Sequence, residues 1–275
     1  MDNSANDNPS RLDGRQFDSV TSPVANRAGK TSGRPRFFFL LSLVMLVVVF
    51  LGFAPTYYLD SHFDTAIEFR PMPLYLAIHA LVLTMWFVGQ VVQSGLIQAR
   101  RRDMHRTFGA IGAGLAAGVV ITGIVVTMNA IPHAEQFGIP RGIPLNVLVA
   151  SNTVNLLLFC TLVSLALYCR SKPQYHKRYM VIASIAIIGP AVSPFRAFGK
   201  FLGALLPDSL SIPVPLVFWI LLVVSIVLYD LSSSRRIHPA TLWGGGMKAA
   251  ATVVTISLVN SGLAALYVNW VESWI

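Results

Sequence analysis

The chain reads as an all-α integral membrane bundle of seven transmembrane helices with its N-terminus in the cytoplasm. Three observations predict this. Hydrophobic residues make up 54% of the 275 residues and charged residues only 12%, the composition of a polytopic membrane protein. The apolar residues gather into seven stretches, most of them near the roughly 20 residues that cross a bilayer. Basic residues crowd every second connection between the stretches, the bias that orients a chain in a membrane. The net charge of +9 is carried largely by those short runs. It therefore makes no case for nucleic acid, and the partner it implies is the lipid bilayer.

Residues 1–36 are rich in Asn, Asp, Ser, Gly, Arg and Pro without apolar periodicity, so they predict a disordered cytoplasmic tail. The transmembrane domain, 37–275, then follows. Its spans are expected at Phe37–Phe53, Leu74–Ile97, Phe108–Met128, Leu145–Tyr168, Tyr179–Phe195, Pro215–Tyr229 and Ala249–Val268. Span one starts late and has no small-residue cleavage pattern, which favours a signal anchor over a signal peptide. The orienting residues are Arg27, Lys30, Arg34 and Arg36, then Arg100–Arg102 with Arg106, then Arg170, Lys172, Lys177 and Arg178, then Arg235, Arg236 and Lys248. An odd number of spans places the C-terminus outside, with Trp270 and Trp274 as interfacial anchors.

Span two carries His79, Trp86, Gln90 and Gln93 at offsets of 7, 11 and 14, which fall within about 60° of one another on a helix. A polar stripe in hydrocarbon must face the bundle and find partners. Span four offers Asn152 and Asn155, beside Ser151 and Thr153, at the depth of His79 in the outer half. Asparagine both donates and accepts. A pocket between spans two and four is expected there, against the plainer reading of hydrogen bonds that glue helices together.

Two further histidines open spans three and five in similar settings, His105 in RRDMHR and His176 in QYHKRYM. Both lie at cytoplasmic helix ends, so they can meet at one depth, the condition for bis-histidine ligation of a haem. Below His105, the same face carries Gly109, Gly112, Ala116 and Gly123. This flat surface either admits a macrocycle or allows close helix approach, and packing is the favoured reading. Cys160 and Cys169 lie nine residues apart in one span, about 13 Å along a helix, too far for a disulfide. No GxSxG, HExxH, CxxC, Walker or GxGxxG pattern occurs, so no catalytic motif argues for an enzyme.

The segments HAxxxxxWFxxQ from His79, HRTFGxxGA from His105, HKRYMxxAxxxxxGPA from His176 and YDLxxxRRIHPATLWGG from Tyr229 together resemble a group of multi-pass bacterial inner-membrane proteins that carry no assigned function. More distantly they resemble cytochrome-like membrane families. The resemblance covers most of Leu74–Gly246 and implies a bacterial inner-membrane location and a haem b cofactor.

The leading expectation is a haem-associated or redox-linked protein. In it His79, His105 and His176 are ligands or proton carriers, and Gln90, Gln93, Asn152 and Asn155 support them. If a metal is held, His105 and His176 are its candidates. The alternatives are a small-ligand or proton-coupled transporter or sensor, centred on His79 and Asn152, and an assembly partner of a larger membrane complex.

Overall fold

The structure, a computed structural model, describes residues 36–54, 73–131, 144–192, 195 and 213–274. Apart from Arg36, the expected tail lies outside these residues. The described elements are all helical. They comprise α1 (Arg36–Phe53), α2 (Leu74–Gln98), α3 (Arg102–Asn129), α4 (Leu145–Tyr168), α5 (Pro173–Ile187), α6 (Gly189–Val192), α7 (Val214–Ser234), α8 (Pro239–Asn260) and α9 (Leu263–Glu272). Six of them, α1, α2, α3, α4, α7 and α8, are long and apolar enough to cross a membrane.

The helix ends follow from local chemistry. Pro73, Pro144 and Pro213 stand as N-caps of α2, α4 and α7 with extended ψ angles, because proline cannot continue a preceding helix and its fixed φ suits a start. Pro173 and Pro239 occupy the first turn of α5 and α8. The tight turns after α2 and α7 place Arg100 and Arg235 at positive φ, 60° and 55°, where the chain must reverse within a few residues. These turns and the α4–α5 turn carry Arg100–Arg102, Arg170, Lys172, Arg235 and Arg236 at one end of the bundle, the basic end.

The fifth expected span differs most from its sequence pattern. Instead of a helix over Tyr179–Phe195, the structure has the 15-residue α5, a break at Ile188 and the four-residue α6. Arg178, Tyr179 and every residue from Val181 to Ala186 are buried. A helix buried on all sides sits among other helices and not against lipid, and a helix so placed need not span the full hydrocarbon thickness. α1 closes on α6 at Gly52, where an added Cβ would collide with the Ala191 carbonyl.

The last expected span, Ala249–Val268, is corrected as well. α8 begins ten residues earlier, at Pro239, and ends at Asn260, where Gly262 at φ 76° turns the chain into the short α9. The glycine-rich stretch TLWGGGMK masks the start of this helix in the sequence. In the structure its small residues let the helix approach its neighbours, for a Cβ on Gly244 would lie 2.7 Å from Ile182. α9 packs Val268 and Val271 with Ile131 and Val149, the Tyr267 ring stacks on Trp270, and Trp270 meets Trp274 edge-on.

Candidate functional site

Four consecutive residues of α5, Tyr175–Arg178, organise the basic end. Successive helical side chains are about 100° apart, so each meets a different neighbour. The Tyr175 ring packs edge-on against His238 at 4.7 Å. His176 turns to α3 and α4. Lys177 lies over the rings of Phe38 at 4.4 Å and Tyr229 at 5.7 Å. Arg178 reaches α7 and α8.

The His105 and His176 rings lie 6.2 Å apart, centre to centre, and are nearly perpendicular at 87°. His176 Nδ1 is 2.8 Å from the Ala166 carbonyl oxygen. A carbonyl only accepts, so Nδ1 carries the proton and the Nε2 lone pair is left for a ligand. That is how a metal-ligating histidine is held by its surroundings. His105 faces the Gln93 backbone carbonyl, and its Nδ1 is buried without a hydrogen-bond partner among the described residues, like Gln93 Oε1 and Gln98 Oε1.

The small-residue face below His105 divides in two. At Gly109 and Gly112 an added Cβ would meet nothing within 4 Å, whereas at Gly123 it would lie 3.1 Å from Leu156. Close helix approach therefore accounts for Gly123 but not for the two glycines nearest the histidine, which border open space. Among the described residues no three His, Cys, Asp or Glu side chains gather to hold a metal. An ion on His105 and His176 would take its remaining ligands from another molecule, such as a macrocycle.

The rest of the span-two stripe serves other contacts. His79 Nδ1 is 2.8 Å from Thr122 Oγ1, which itself donates to the Gly118 carbonyl, so the imidazole donates to the hydroxyl. Its described partner is thus on α3, not Asn152 or Asn155 of α4. Trp86 Nε1 and Gln90 Nε2 both donate to Ser184 Oγ, at 3.0 and 3.1 Å. Gln90 also donates to the Met180 carbonyl at 3.2 Å. These two side chains fasten α2 to the central α5. Gln93 meets the histidine pair through its backbone carbonyl. Asn152 is half-buried on α4, and Asn155 Oδ1 accepts a 2.8 Å hydrogen bond from Lys248 Nζ.

Sequence reasoning misplaced two buried cations. Arg178 and Lys248 were expected to orient loops, yet they are only 4% and 5% exposed. Arg178 pairs with Asp230, and its Nε also donates to Thr241 Oγ1 at 3.1 Å. Asp230 accepts from Thr241 Oγ1 at 2.5 Å and from the His238 amide at 3.1 Å. The signal was Asp230 itself, an acid inside an apolar span, which requires a cation or donors at its depth. Burial, and after it Arg178, hold the His238 pKa below its ordinary value, with Asp230 opposing.

Apolar spans around a buried, broken helix that takes polar contacts from its neighbours mark a multi-pass helical membrane protein. No family model matches the chain, and no curated protein or solved structure does so either.

Proposed function

We propose that the protein is a haem-associated or redox-linked protein of a bacterial inner membrane, with His105 and His176 as the two protein ligands of one haem b. In this reading α5 and α6 together form the fifth of seven spans, and the basic end lies in the cytoplasm. The observation that carries the proposal is the facing pair of imidazoles, 6.2 Å between centres, with His176 held by Ala166 so that Nε2 is free. An ion about 2 Å from one nitrogen of each ring suits that separation. The open space beside Gly109 and Gly112 suits a flat macrocycle, and Gln93 lies beside His105. When bound, a haem supplies one-electron transfer. The residues of the chain orient it, limit access of water and hold the ligating tautomer.

The visible spectrum of the full-length protein, purified in detergent after expression with a haem precursor, tests the proposal. A Soret band is expected for the wild type and for His79→Ala, and its loss for His105→Ala and for His176→Ala. Absence of the band in the wild type, or its persistence in both variants, overturns the reading. A small-ligand or proton-coupled transporter or sensor is a second reading, favoured by the break between α5 and α6, since broken helices mark transporter binding sites. Ligand-dependent thermal shifts without a Soret band would select it.

A further inference from the structure

Lys248 is the one lysine or arginine of α8, and nothing in the haem reading uses it. It stands nine residues after the start of a 22-residue helix, about 14 Å along an element about 33 Å long. That is near the middle of a membrane span. Asn155, its hydrogen-bond partner at 2.8 Å, lies at a similar depth on α4. The Trp219 ring of α7 lies 5.4 Å from Nζ.

An ammonium has three N–H donors, and Asn155 supplies a neutral acceptor for one. The described ion pairs are Arg101–Asp103 and Arg178–Asp230, so neither gives Lys248 a counter-charge. The helices packed against α8 offer little more. α4 contains no Asp, Glu, Lys, Arg or His. α5 presents Tyr179 beside Gly244 and Arg178 beside Thr241. α7 presents Asp230 at Thr241, and α9 carries Tyr267 and Glu272. A permanent charge buried at this depth costs several kcal/mol without a partner. Release of a proton from Nζ removes that charge, so the site can exchange one.

Lys248 is also part of a line. Thr241, Lys248, Thr252 and Thr255 stand at offsets of 7, 11 and 14, within about 60° on one face of α8. Thr241 and Lys248 are buried and both later threonines are half-buried. At the basic end the line joins the Asp230 carboxylate through Thr241. Toward the other end Asn155 donates to the Ser151 carbonyl at 2.8 Å.

We propose that this face of α8 is a proton path across the membrane, with Lys248 as its midpoint relay between the Asp230–Thr241 end and the Asn155, Thr252 and Thr255 end. An arriving proton forms an N–H bond at Nζ. Its departure restores the neutral amine, and the membrane potential or proton gradient drives the transfer. The path is separate from the histidine pair.

Full-length protein in liposomes, with an entrapped pH-sensitive dye and a potassium diffusion potential set by valinomycin, tests this. Wild-type vesicles are expected to acidify faster than protein-free vesicles. Lys248→Met is expected to slow the flux by about a hundredfold or more, in the range usual for removing a proton-transfer group. Thr161→Val, which removes an exposed α4 hydroxyl that donates to the Leu157 carbonyl, is expected to leave the flux unchanged. If Lys248→Met does not give monodisperse protein, Asn155→Leu makes the same test and is expected to show the same loss. Wild-type flux equal to that of empty vesicles overturns the proposal. Unchanged flux in the Lys248 or Asn155 variant overturns it too, as does loss of flux in Thr161→Val.

Discussion

The Arg178 guanidinium and the Asp230 carboxylate form an ion pair inside the bundle, with side-chain exposures of 5% and 0%. The pair joins α5 to α7, and Thr241 and the His238 amide extend it to α8. Gln174 supplies two more acceptors to Arg178 Nη1, at 2.9 and 2.8 Å. Such a network fixes the rotation of α5, and therefore the direction in which His176, two residues earlier, points.

Breaking a buried pair from one side leaves a charge without compensation. Asp230→Asn and Arg178→Met should each lower stability by about 3–5 kcal/mol. The double variant Arg178→Met/Asp230→Leu should recover much of that, because no isolated charge remains. Thermal unfolding of the detergent-solubilised protein measures all three. Single variants as stable as the wild type, or a double variant worse than both, would remove the pair from the account of how α5 is held.

Ser184 is the point where α2 grips α5. Its hydroxyl donates to the Met180 carbonyl at 3.2 Å and accepts from Trp86 and Gln90. Ser184→Ala deprives the buried Trp86 Nε1 of its acceptor, while Gln90 keeps Met180. A loss of roughly 0.6–2 kcal/mol is expected, since hydrogen bonds between membrane helices are worth less than an orphaned donor in a soluble core. Trp86→Phe should cost less in the Ser184→Ala background than in the wild type, because the partner is already gone. Additive losses in that cycle would show that the two side chains do not interact.

The sequence was most legible where composition changes abruptly. α4 occupies Leu145–Tyr168 as expected, because Pro144 and the basic loop after Tyr168 bound one apolar run. α3 starts six residues before its apolar run, at Arg102, because the chain stays helical through charged residues at the membrane boundary. α5 and α8 were least legible. Their polar residues, Arg178 and Lys248, bond to side chains distant in sequence, Asp230 and Asn155, and no periodicity in one segment records such a partnership. The span-two stripe was readable as inward-facing, but not the division of its work: the side chains of Trp86 and Gln90 toward Ser184, that of His79 toward Thr122, and the backbone carbonyl of Gln93 toward His105.

His238 gives the basic end an acid limit. Its Nδ1 accepts the Ala240 amide hydrogen at 3.1 Å and so caps α8, an acceptor role that only the unprotonated nitrogen can fill. Burial first, and then the nearby Arg178, lower its pKa from the usual 6.5 in the folded protein. The unfolded chain therefore binds the proton more readily. The stability tied to the neutral ring is intact above pH 6.5 and is lost as pH falls from there through the lowered folded value. Melting temperature measured against pH should decline over this interval in the wild type. His238→Asn, which keeps a capping acceptor that does not titrate, should flatten that part of the profile. Parallel declines in the two proteins would place the acid sensitivity elsewhere.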